Sequence, residues 1–109
     1  MIVIGSNEKD MAKAANSLVT TQGGMVVVSD EKILSSMPLQ MAGIVSTDSF
    51  ETVLENFANL NTVLTDAGCK FKKPHLIPLF LPFLALPDIR ILTTGLDDVK
   101  NRSFLKIVT

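Results

Sequence analysis

The sequence has no tryptophan, no tyrosine, one cysteine and one histidine, and each shortage removes a class of function. One cysteine cannot form an internal disulfide, which fits a reducing compartment. A single cysteine and a single histidine among scattered carboxylates give no C-x-x-C or H-x-H spacing, so no zinc or iron site built by this chain alone is expected. Charge is sparse too, at 19% of residues with a net charge of -1. Such a surface has no broad field to draw phosphate backbones or anionic lipid, so neither nucleic acid nor membrane is expected as a partner. A long hydrophobic run is missing as well. Leu76 to Leu86 is the longest apolar stretch, yet Pro78 and Pro82 break it and it falls short of the roughly 20 residues that cross a bilayer. Met1-Ile2-Val3-Ile4-Gly5 has no basic start and too short an apolar run for a secretory signal. The expectation is a soluble, cytoplasmic protein.

What is present describes a small folded unit. With 109 residues, 47% of them hydrophobic, residues 1–109 are expected to form one compact domain with a stability of about 5–15 kcal/mol. Its centre is Gly23-Gly24-Met25-Val26-Val27-Val28, an apolar and β-branched run bounded by glycines and by Ser29-Asp30. That pattern predicts a short strand buried on both faces in the middle of a sheet. Ile2 to Ile4 read as an earlier strand. Asn7, with Asp10 in the following turn, predicts a helix start. Met11, Ala14, Ala15, Leu18 and Val19 then mark one helical face, with Lys13 and Asn16 opposite and Gly23 as a left-handed stop. Strand, helix and strand in this order predict a crossover with Ile2–Ile4 and Met25–Val28 parallel.

Asp30-Glu31-Lys32 suits a hairpin connection to an antiparallel strand from Lys32 that proline ends at Pro38. Met41 to Val45 is a loop or short turn. Asp48 with Glu51 makes an acidic helix start, and Phe50, Val53, Leu54, Phe57, Leu60, Leu64 and Ala67 form one face ending at Gly68. If that face is buried, truncating Phe57 to Ala should cost roughly 3–5 kcal/mol. Cys69 to Pro74 is a polar connector. Proline at 78, 82 and 87 rules out a central strand or an unbroken helix over Leu76–Pro87, leaving a helical turn with extended flanks. Ile89–Leu92 is a strand, Thr93–Leu96 a turn and Ser103–Val108 a last strand. The fold class is α/β, a single compact domain with a mixed sheet and two principal helices.

No residue is assigned to a catalytic, cofactor-binding or metal site. Cys69 and His75 are the only candidates for a thiolate pair, but no third orienting group or oxyanion pocket is evident, so a buried thiol and a loop histidine are expected. Gly5-Ser6-Asn7 precedes a helix and could hold an anion, although capping by Asn7 accounts for it. Lys70, Lys72 and Lys73 around Phe71 fit a solvated connector. Leu79-Phe80-Leu81-Pro82-Phe83-Leu84-Ala85-Leu86-Pro87 carries more apolar surface than a proline-broken stretch would bury. Core filling and an interface with a missing partner are both open.

Ile2-Val3-Ile4-Gly5-Ser6-Asn7 with Asp10-Met11-Ala12, Gly23 to Val28, Met37-Pro38-Leu39 with Ala42-Gly43, and Phe83 to Pro87 together resemble the C-terminal domain of bacterial adenine deaminase, a family of the amidohydrolase superfamily. The resemblance runs along nearly the whole chain in the same order. It implies a parent enzyme that hydrolyses adenine to hypoxanthine and ammonia in a preceding barrel domain, with a divalent metal, manganese or iron, held by ligands that have no matching positions here. It implies a non-catalytic part that packs against that barrel domain of the same polypeptide or against a second subunit, and a homo-oligomer is expected. Ala42-Gly43 and Phe83–Pro87 are then the stretches expected to face the catalytic domain or to rim its active site. The rival expectation is a free-standing binding or oligomerisation module using Asn7 or Leu79–Pro87.

Overall fold

The computed structural model describes residues 1–106. The elements run α1 (Glu8–Thr21), β1 (Gly24–Ser29), β2 (Lys32–Pro38), α2 (Phe50–Asp66), α3 (Leu76–Phe80), β3 (Ile89–Leu92), β4 (Gly95–Asp98) and β5 (Ser103–Leu105). The chain is α/β with α1 and α2 as its principal helices, and its packing divides into one unit from Met1 to Pro74 and another from His75 onward.

In the first unit, α1 begins where the sequence places it. The Asn7 side chain accepts the Lys9 amide at 3.0 Å, which satisfies one of the helix's unpaired donors. The helix leaves through Gln22, left-handed at φ 60°, so the stop falls one residue before the expected Gly23. Gly23 is needed for a different reason: a Cβ built on it would lie 2.4 Å from the Cα of Gly43. Met11, Ala14, Ala15 and Leu18 are half-buried as one face, whereas Val19 is exposed.

Ile2–Ile4 is not a strand, and this corrects the parallel crossover and the mixed sheet. Strand propensity is realised only where a neighbour completes the ladder, and β1 pairs with β2 alone in a two-stranded antiparallel sheet. The expected burial of β1 on both faces is corrected for the same reason, since Met25 to Val28 are half-buried. Gly24 lies opposite Pro38 and Ser29 opposite Lys32. Asp30 and Glu31, at φ 51° and 59°, make the turn, the left-handed pair that a two-residue hairpin loop requires. An irregularity between Val27 and Val28 pairs Val27 with Ser35 but Val28 with Ile33. The inserted Leu34 turns both Ile33 and Leu34 outward, and both are exposed.

Ser35, Met37 and Leu39 point the other way and are buried together with Leu60 of α2. Asn59 donates to the Ser35 hydroxyl at 3.1 Å, so α2 crosses this side of the hairpin with its polar contact satisfied. Ser49, rather than Asp48, caps α2 by accepting the Thr52 amide at 3.3 Å. The buried stripe is narrower than the sequence suggests. Phe50 and Leu54 are exposed, while Val53, Phe57 and Leu64 are half-buried. Gly68, at φ 93°, ends the helix as expected.

The second unit opens with α3, whose first carbonyl bonds are followed by turns instead of extended flanks: the amides of Leu81, Phe83 and Leu86 reach Ile77, Phe80 and Phe83. β3, β4 and β5 form an antiparallel meander in that order. β4 begins at Gly95, so the expected turn Thr93–Leu96 shortens to Thr93–Thr94. Of the expected last strand, Ser103–Leu105 is present, and Ile107 and Val108 lie outside the described residues.

Candidate functional site

The start of α1 is already engaged in local structure. Asn7 bonds Lys9 through its oxygen and donates its amide to Asp10 at 3.2 Å. Glu8 and Asp10 both stand in the first turn, where their charges favour the helix and oppose an added anion. Asp10 itself receives the amides of Asp30 at 3.2 Å and Glu31 at 2.7 Å. The carboxylate therefore ties the helix start to the hairpin turn. A role for Asp10 beyond the first turn was not foreseen in the sequence, because its partners lie some twenty positions away.

Cys69 follows the stop of α2, half-buried, and its amide donates to the Leu64 carbonyl at 3.0 Å. His75 opens α3 at the cap position without a capping side-chain bond. The two belong to different units. Among the described residues no three His, Cys, Asp or Glu side chains gather where they could hold a metal ion. The donor set of the described residues does not fit the divalent metal that the resemblance implies for a parent enzyme. Lys70, Phe71, Lys72 and Lys73 are all exposed.

Charged chemistry in the second unit is spent on loops. The Arg90 guanidinium donates to the carbonyls of Leu86 at 3.3 Å, Ile89 at 2.9 Å and Pro87, fastening the turns that lead into β3. The Asp98 carboxylate accepts the Asn101 amide at 3.0 Å and the Asn101 side chain at 2.7 Å. Those bonds, with the Lys100 amide and charge, hold its pKa below the usual 3.8. Asp-x-x-Asn at the end of a strand is a turn signal legible in sequence. Around these loops lies the apolar stretch, where Leu79, Phe80, Phe83 and Leu84 are exposed and Leu81 and Leu86 half-buried. Core filling does not describe Phe83 and Leu84.

Residues 1–103 match the family described as the adenine deaminase C-terminal domain. The chain belongs to that family. Its relatives include the adenine deaminase of Cenarchaeum symbiosum (strain A), 48% identical over 108 residues, which cover 99% of this chain and 18% of that protein. The adenine deaminase of Clostridium botulinum (strain ATCC 19397 / Type A) is 36% identical over 107 residues, 98% of this chain and 18% of that protein. That of Brucella abortus (strain 2308) is 39% identical over 103 residues, 94% of this chain and 18% of that protein. The chain thus spans about 18% of the length of the curated relatives it matches. No helix among the described residues is long and apolar enough to cross a membrane.

Proposed function

We propose that residues 1–109 act as one non-catalytic domain of a longer, cytoplasmic adenine deaminase, supplying architecture to a parent that converts adenine and water to hypoxanthine and ammonia. The observation that carries this reading is the match itself, which takes in nearly all of this chain and 18% of each relative. The side-chain chemistry agrees with it: the carboxylates of Asp10 and Asp98 and the guanidinium of Arg90 bind turns and helix ends. A divalent metal in the parent would be held outside this chain, where it would activate water for attack on the purine. The partner of this domain is the catalytic barrel of the same polypeptide, and exposed Phe83 and Leu84 give it apolar surface to bury.

The test is to incubate the purified 109-residue chain with adenine and manganese or iron and follow ammonia. No release is expected. Sustained release that a point change within this chain abolishes would overturn the reading. The same exposed Phe83 and Leu84 favour a second arrangement, self-association of the domain, which sedimentation across a concentration series detects as a doubled mass.

A further inference from the structure

In the second unit no Cα of α3 comes within 8 Å of β3, β4 or β5. Along β3 the face of Arg90 and Leu92 is half-buried, and the face of Ile89 and Ile91 is the more exposed one. Register places Ile91 opposite Leu96 and Leu96 opposite Leu105. Side chains directly opposite in an antiparallel sheet project from the same face, and Ile89, two residues before Ile91, joins them. The result is an aliphatic row across all three strands. Ile89 is 49% exposed, Ile91 40% and Leu105 36%, with Leu96 half-buried between them. Asp98 lines up with Ile89, but its carboxylate is engaged by Asn101 in the adjoining loop. Arg90, Asp97 and Phe104 share the opposite face.

A sheet with an aliphatic face needs a second layer to bury it. The geometry points to the remainder of the adenine deaminase polypeptide as that layer, seated on the Ile89, Ile91, Leu96 and Leu105 face of the sheet. Two facts select this occupant. This chain makes up 18% of each relative's length, so most of the polypeptide lies outside it. Ile91, Leu96 and Leu105 form an aliphatic row with Ile89 beside it, and Asp98 and Ser103 stand at one end of the same face, a composition that suits a permanent contact better than a transient polar one. The inference rests on the proposed role as one domain of a longer enzyme, and it adds the sheet face to exposed Phe83 and Leu84 as surface that the remainder would bury.

Hydroxyl-radical footprinting read by mass spectrometry tests it. Labelling is compared between the 109-residue chain and the full-length Cenarchaeum symbiosum adenine deaminase carrying these residues in place of its own C-terminal stretch. Ile89, Ile91 and Leu105 should be labelled in the short chain and lose labelling several-fold in the long one, while exposed Phe104 on the opposite face keeps its labelling in both. Ile91→Lys in the long protein should restore labelling at Ile89 and Leu105, and the same variant of the short chain should keep its unfolding temperature. Equal labelling of the row in short and long proteins would overturn the inference. So would protection already present in the short chain, including protection that grows with concentration beside a doubled sedimentation mass, which would make a second copy the occupant. None of these results depends on whether the short chain releases ammonia, so failure of the face and failure of the domain role are separable.

Discussion

The two units handle the same problem differently. In residues 1–74, α2 lies across the β1–β2 hairpin and Met37, Leu39 and Leu60 disappear from solvent. In residues 75–106 no side chain is fully buried, although Leu, Ile and Phe are abundant there. Apolar content alone therefore does not make a core; a second layer does. The hairpin has one because an amphipathic helix of 17 residues follows it in sequence, whereas the meander follows a stretch whose prolines limit its helix to five residues, too short to lay a comparable apolar face along a sheet.

The contrast can be broken by mutation, beginning with the largest effect. Leu60→Ala should destabilise the chain by about 2–5 kcal/mol in urea unfolding, because a fully buried side chain leaves a cavity. Ile91→Ala, on the open sheet, should cost only about 0.5 kcal/mol, and similar losses for the two would abolish the distinction between the units. Gly23→Ala should come next, at about 2–3 kcal/mol in thermal unfolding, from left-handed strain together with a collision. Gly68→Ala, at φ 93° with nothing within 4 Å of the added carbon, isolates the strain and should cost about 1 kcal/mol. Asp10→Ala should cost about 1 kcal/mol and speed amide exchange at Asp30 and Glu31, with the β1–β2 ladder amides unchanged. Smallest is the effect of acid on Asp98. Its folded pKa lies below the ordinary 3.8, so the stabilisation is complete above that value and is lost as pH falls through the lower folded one. A carbon-detected titration should show this, and Asn101→Ala should move the midpoint back up.

Much of the first unit was legible because its signals are local. Asn7 and Gly68 announce helix ends, and the polar residues 30–31 announce the hairpin. The errors arise where a distant neighbour decides. Ile2–Ile4 has strand composition but no partner, so propensity goes unused. Gly-Leu-Asp-Asp has poor strand composition, yet β4 forms because β3 and β5 flank it on both edges. Phe57 shares a helical face with Leu60, but only Leu60 is sealed. The expected cost of Phe57→Ala falls accordingly to about 1–2 kcal/mol. The candidate site shows the same division: the Asp98–Asn101 turn is visible in four residues, while the link from Asp10 to residues 30–31 depends on how α1 lies along the hairpin.

The meeting of Gly23 with Gly43 is lopsided. A methyl group added at position 23 runs into backbone, which has no rotamer with which to step aside, whereas one added at position 43 finds its nearest neighbour 3.7 Å away. Position 43, at φ 73°, is therefore open to asparagine or aspartate, which tolerate that conformation, while position 23 accepts glycine alone. The two partners in a single contact are not interchangeable, and a library randomised at both sites should recover variety at one and uniformity at the other.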